Sequence, residues 1–128
     1  MDVLIVQSAP ELGLLWQRHL QRCGMRVRVA ESQEHAIGTI NIKAPDVIIL
    51  DLVLQRGSAL AVADYANYRC PETRVIFVTN TRFFSDGSIF SHATNACAFV
   101  QSATPPEDLA AMVEHYALPR EEETRLKA

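Results

Sequence analysis

Short apolar runs alternate with stretches of helical periodicity along the chain. Val3-Leu4-Ile5-Val6, Val47-Ile48-Ile49-Leu50 and Val75-Ile76-Phe77-Val78 are each unbroken. Runs of that length bounded by turn residues predict strands buried on both faces, as in the middle of a parallel sheet. Val27-Arg28-Val29-Ala30 alternates instead, which suits a strand nearer the sheet edge, and Ala98-Phe99-Val100-Gln101 predicts a fifth strand. Between them, residues 10–23 predict an amphipathic helix with Leu12, Leu15, Trp16 and Leu20 at helical spacing, closed by Gly24. Ser32 can cap a second helix whose core side is Ala36, Ile37 and Ile40, and Ser58 a third carrying Leu60, Ala63 and Ala66 inward. A short helix over 88–94 should end at Asn95 in a left-handed conformation. Pro106 opens a last helix bearing Leu109, Met112, Val113 and Tyr116, with Glu107 and Asp108 at its positive end.

Five strand–helix repeats joined by right-handed crossovers predict an α/β fold, a doubly wound five-stranded parallel sheet with five helices on its two faces. Residues 1–118 are expected to form one domain and 119–128 a charged tail that frays or extends the last helix, with no output domain expected after it.

Composition narrows the function classes. With 48% hydrophobic and 21% charged residues, the chain of 128 residues can bury a core and is not disordered. A net charge of −3 gives no electrostatic footprint for nucleic acid. Arg18, Arg22, Arg26 and Arg28 read as a solvated helix–strand surface. The stretch from Val3 to Val6 is too short for a signal peptide or a membrane span. Cys23, Cys70 and Cys97 are odd in number and lack CxxC spacing, which suits small core hydrophobes in a reduced, cytoplasmic protein.

Asp51 carries the candidate chemistry. It closes the third strand, and the carboxyl end of such a strand is where open α/β sheets hold their ligands. Other chemistry finds no support. Gln7-Ser8-Ala9-Pro10 is no phosphate-binding glycine loop, and Ser8 has no spaced base to activate it. His19 and Cys23 stand at i, i+4 without a second ligand pair, and His35, His92 and His115 are scattered. No enzymatic role is expected, and no resident cofactor.

The segment Pro45-Asp46-Val47-Ile48-Ile49-Leu50-Asp51-Leu52, followed by Leu54, Gly57-Ser58 and Leu60, resembles the receiver domain of bacterial two-component response regulators. The resemblance covers about residues 2 to 117. Val75 to Thr79, Phe99 and Pro106-Glu107-Asp108-Leu109 add to it. It implies the flavodoxin-like receiver fold. It also implies a phosphoacceptor at Asp51 fed by a histidine kinase or phosphodonor, a Mg²⁺ ion held partly by an acidic pair after the first strand, and switch positions at Thr79 and Phe99. A Lys near the end of the fifth strand completes the family's set.

This chain departs from that set. The acidic pair reads Gln7-Ser8, and the Lys position reads Ser102, followed by Ala103. Gln55 stands where the family usually has Pro, and Asn80 follows Thr79 where a small residue is common. Mg²⁺ is usually held through carboxylates and waters, and Gln7 and Ser8 offer only neutral oxygens. A lost charge-assisted hydrogen bond costs about 1.5–3 kcal/mol, and losing metal stabilisation removes several more. At about 1.36 kcal/mol per tenfold, phosphorylation should slow by orders of magnitude. The expected pocket is one locked by neutral hydrogen bonds, with Asp51 bonded to loop amides or to Thr79.

Phe83-Phe84 fall in the loop after the fourth strand. Either they form an apolar interaction surface with Ile89, Phe90 and Val100, or the Phe residues fold over the vacated pocket as a lid. The expected function is a stand-alone atypical receiver in phosphorelay signalling. It would act mainly by binding a histidine kinase, phosphotransferase or regulator, or a second copy of itself, and would bind neither nucleic acid nor membrane. The alternative is a working single-domain regulator phosphorylated at Asp51, with a residue such as Asp86 restoring a metal site. A small-ligand sensor using the vacated pocket is a third reading.

Overall fold

The computed structural model describes residues 1–79, 96–101 and 103–127. Its strands are β1 (Asp2–Val6), β2 (Arg26–Ala30), β3 (Val47–Asp51), β4 (Arg74–Thr79) and β5 (Ala96–Gln101). They form one sheet in the order β2-β1-β3-β4-β5, with every pairing parallel. The helices among the described residues are α1 (Pro10–Arg22), α2 (Gln33–Ile42), α3 (Ala59–Arg69) and α4 (Pro106–Lys127). The doubly wound, five-stranded parallel sheet is the one the apolar runs predict. The expected helix over 88–94 and the left-handed Asn95 lie outside the described residues.

The unbroken runs are explained by a core on each side of the sheet. Val3, Ile5, Ile49, Ile76 and Val78 pack with Trp16 and Leu20 of α1 and Leu109 and Val113 of α4. Leu4, Val6, Ile48, Leu50 and Phe77 pack with Ala36 and Ile40 of α2 and Val62, Ala63 and Ala66 of α3. Successive strand residues point to opposite faces, so β1, β3 and β4 each supply both cores. β2 does lie at the sheet edge, where it pairs only with β1.

The caps stand where the sequence places them. Ser32 Oγ accepts the His35 N–H at 3.1 Å, and Ser58 Oγ accepts the Ala61 N–H at 3.2 Å. Gly24 has φ +87, the left-handed geometry that ends α1. No basic residue lies in the last turn of α2. Arg28 reaches across from β2 instead and donates to the carbonyls of Thr39 (3.0 Å) and Lys43 (2.8 Å).

Two expectations are corrected. Leu15 is exposed, because the inner stripe of α1 runs through Gly13, Trp16 and Leu20, with Leu12 half-buried beside it. Cys23 is exposed at the C-cap, past the end of that stripe, while Cys70 is half-buried against the α2–α3 core. Among the described residues, no helix is long and apolar enough to cross a membrane.

Candidate functional site

The order β2-β1-β3 places a topological switch between β1 and β3. The chain leaves β1 toward one edge and returns at β3 to build toward the other, so the connections part above their carboxyl ends. Val6 pairs with Leu50, which puts Gln7 and Asp51 side by side one step further on. The sequence therefore brings Gln7, Ser8 and Asp51 together at the carboxyl end of the sheet's central strands.

Asp51 ends β3 in register with Val78, and the Leu52 N–H still reaches the Val78 carbonyl at 2.9 Å. Its carboxylate is half-buried, and Oδ1 accepts the Val53 N–H at 2.9 Å. This local bond turns the chain out of the strand, as Asp side chains commonly do two residues ahead. Of the two expected partners, a loop amide is thus the one observed.

Gln7 is buried, with 2% of its surface exposed. Its backbone N–H donates to the Ala30 carbonyl at 3.0 Å, and its Oε1 accepts the Ala9 N–H at 3.0 Å. Gly13 of α1 lies over it, where an added Cβ would sit 3.7 Å from Gln7 Cβ, in ordinary contact. The Gln7 Nε2 is buried and has no hydrogen-bond partner among the described residues.

Ser8 joins three loops. Its hydroxyl donates to the Glu31 carbonyl at 3.3 Å and accepts the Gln55 N–H at 3.0 Å, tying together the connections that follow β1, β2 and β3. Gln33 adds two further ties. Its backbone N–H donates to the Arg56 carbonyl at 3.1 Å, and its Oε1 accepts the Ser58 N–H at 2.8 Å. Gly57 makes this approach possible. It has φ +98, and a Cβ there would fall 2.3 Å from Gln33 Cβ. Beside these ties lies a polar cleft of about 270 Å³, walled by Ser8, Glu31, Ser32, His35, Gln55 and Arg56.

Among the described residues, the donor set at this end of the sheet does not fit Mg²⁺. The Gln7 oxygen is engaged by Ala9, the Ser8 oxygen by Gln55 and Glu31, and one Asp51 oxygen by Val53. A hard cation with near-octahedral demands finds one carboxylate and two committed neutral oxygens. Among the described residues, no group of three or more His, Cys, Asp and Glu side chains is placed to hold a metal. His19 is half-buried beside the exposed Cys23, His35 is exposed, and the exposed His115 ring meets Tyr116 edge-on.

Thr79 is buried at the end of β4, one position beyond the Asp51–Val78 pair. Val100 pairs with Val78, is half-buried and packs against the α1–α4 core. The backbone of Phe99 pairs with Phe77, while its side chain lies outside what the structure describes. Asn80, Phe83, Phe84, Asp86, Ile89, Phe90, His92 and Ser102 lie outside the described residues. The sequence reading missed the parts played by Gln33 and Glu31 and the close approach at Gly57. Ser58 was legible as a cap, but nothing in Gly57-Ser58 pointed to a partner 25 residues earlier.

Comparison with known proteins agrees with this geometry. A family model described as the response regulator receiver domain matches residues 3–114. Among solved structures, NtrX from Brucella abortus superposes with a TM-score of 0.86 at 22% identity, over 98% of this chain and 29% of that one. The chain thus spans less than a third of that protein. The signal receiver domain of a putative Luxo repressor protein from Vibrio parahaemolyticus gives 0.85 at 22% identity, over 99% and 97% of the two chains. A CheY-like receiver domain protein from Methanospirillum hungatei gives 0.86 at 20%, over 95% and 97%. At these identities the likeness is one of fold. No curated protein matches the chain.

Proposed function

The chain belongs to the response regulator receiver domain family, and from that premise we propose that it is an atypical receiver, signalling mainly through protein–protein contact. Its partner is a signalling protein such as a histidine kinase, a phosphotransferase or a regulator. It works in the cytoplasm and binds neither nucleic acid nor membrane. Residues 1–118 carry this function and 119–128 serve as a charged tail.

One observation carries the reading. The two positions where the family holds metal with carboxylates are filled by Gln7 and Ser8, whose oxygens already serve backbone amides. Without metal, the charge on a transferring phosphoryl group lacks its main stabiliser, and positioning alone recovers little. Contact falls to the face around the helix expected over 88–94, β5 and α4, with Phe83, Phe84, Ile89, Phe90 and Val100 as its apolar part. Thr79 and Phe99 keep the family's switch positions without a phosphorylation cycle to drive them.

Intact mass after incubation with acetyl phosphate, with and without Mg²⁺, tests the reading, with Asp51→Asn as control. We expect no adduct on the folded protein. An adduct that needs both Asp51 and Mg²⁺ would establish the second reading, a working regulator phosphorylated at Asp51. That reading draws on the position of the carboxylate, half-buried at a strand end beside buried Thr79.

A further inference from the structure

We propose that residues 55–58 form a strap that fixes the loop after Asp51 in one arrangement, without any divalent cation or phosphoryl group. Three hydrogen bonds hold it, and all three join segments distant in sequence. The Gln55 N–H meets Ser8 Oγ at 3.0 Å, the Arg56 carbonyl meets the Gln33 N–H at 3.1 Å, and the Ser58 N–H meets Gln33 Oε1 at 2.8 Å. Ser8 extends the tie to the Glu31 carbonyl, so the strap is anchored on the loops after β1 and β2 together.

The geometry is specific to these side chains. Gln33 uses both its backbone and its carboxamide, which determines where residues 56 and 58 sit relative to the first turn of α2. That clamp needs a residue without Cβ at 57, since one there would come within 2.6 Å of Gln33 Oε1. Ser58 then begins α3 through its own cap, so the strap also sets the entry of α3. Neutral hydrogen bonds do here what a metal shared between loops does elsewhere, namely cross-link chain segments at one sheet end. The inference shares with the proposed function the premise that the loop is set without metal.

Hydrogen exchange on the full chain tests it, read at single amides. In the unsubstituted protein the Gln55 and Ser58 amides should be protected, at rates unchanged by Mg²⁺. Ser8→Ala should speed exchange at Gln55 about tenfold, and Gln33→Ala should do so at Ser58, the scale of one lost hydrogen bond. Gln33→Glu keeps an acceptor oxygen and should retain protection at Ser58. The Ile49 amide serves as the reference for an intact sheet. Unprotected Gln55 and Ser58 amides in the starting protein would overturn the strap, as would unchanged rates in both alanine variants or Mg²⁺-induced slowing. The two ideas fail separately: a phosphate adduct on a protein with these amides protected sinks the proposed function and leaves the strap standing.

Discussion

The side-chain oxygen of Gln7 accepts the backbone N–H of Ala9 at 3.0 Å, so the residue that replaces a family carboxylate shapes the turn leading into α1. The same side chain carries the buried Nε2, which has no partner among the described residues. One half of the carboxamide stabilises the turn, and the other half costs desolvation without return.

Gln7→Met should therefore be nearly neutral. It removes one hydrogen bond worth about 1 kcal/mol and one orphaned donor costing about as much, at similar volume. Urea unfolding should show a change in stability within about 1 kcal/mol. A loss of several kcal/mol would mean that Nε2 has a partner in solution.

Gln7→Asp combined with Ser8→Asp should create a Mg²⁺ response that is not expected of the starting protein. Three carboxylates at one sheet end repel one another, and the Ser8 tie to Gln55 is replaced by a charge seeking a cation. Without Mg²⁺ the double variant should lose about 2 kcal/mol. Its melting temperature should rise on adding Mg²⁺ but not with NaCl of equal ionic strength. Equal responses to both salts would count against metal binding.

Asp2 sets a small dependence on acid. Burial pushes its carboxyl upward, but the Lys43 ammonium bonded at 3.1 Å, with the N-terminus and Arg26, brings it below its ordinary 3.8. A depressed carboxylate contributes stability above its unfolded pKa and loses it as pH falls through the folded value, so the effect disappears below 3.8. Lys43 is half exposed, which limits the contribution to less than about 1 kcal/mol. Lys43→Met should raise the Asp2 pKa in an NMR titration and flatten the acid limb of the stability curve.

Arg28→Ala should cost about 1.5 kcal/mol by removing both donors from the end of α2. Arg28→Lys should restore only part of this, because the two carbonyls are met by separate guanidinium nitrogens held in a rigid fork, whereas a Lys ammonium is one compact charge on a flexible stem. Equal stability of the Lys variant and the starting protein in denaturant titrations would show that charge alone holds the helix end.

The sheet was legible in the sequence because burial on both faces leaves unbroken runs such as Val47 to Leu50, which no solvent-facing strand would keep. The site was legible in its residues, since Asp51, Gln7 and Ser8 are fixed by strand ends. Its bonding was not. The ties from Ser8 to Gln55 and from Gln33 to Ser58 join residues 47 and 25 apart through side chain and backbone, and such contacts leave no period. Leu15 was misplaced for a different reason. Leu12, Leu14 and Leu15 allow more than one helical phase, and the true phase buries Gly13, a residue that hydrophobic patterning ignores.

The division of the interior by the sheet has an energetic corollary. Ile48 and Ile49 are neighbours in the chain, yet their side chains belong to separate cores. Trimming each to Val should give losses that sum, whereas paired trimming within one core, at Ile49 and Ile76, should show coupling. Thermodynamically the domain is two half-interiors sharing a backbone, so substitutions that tune one flank leave the packing of the other untouched.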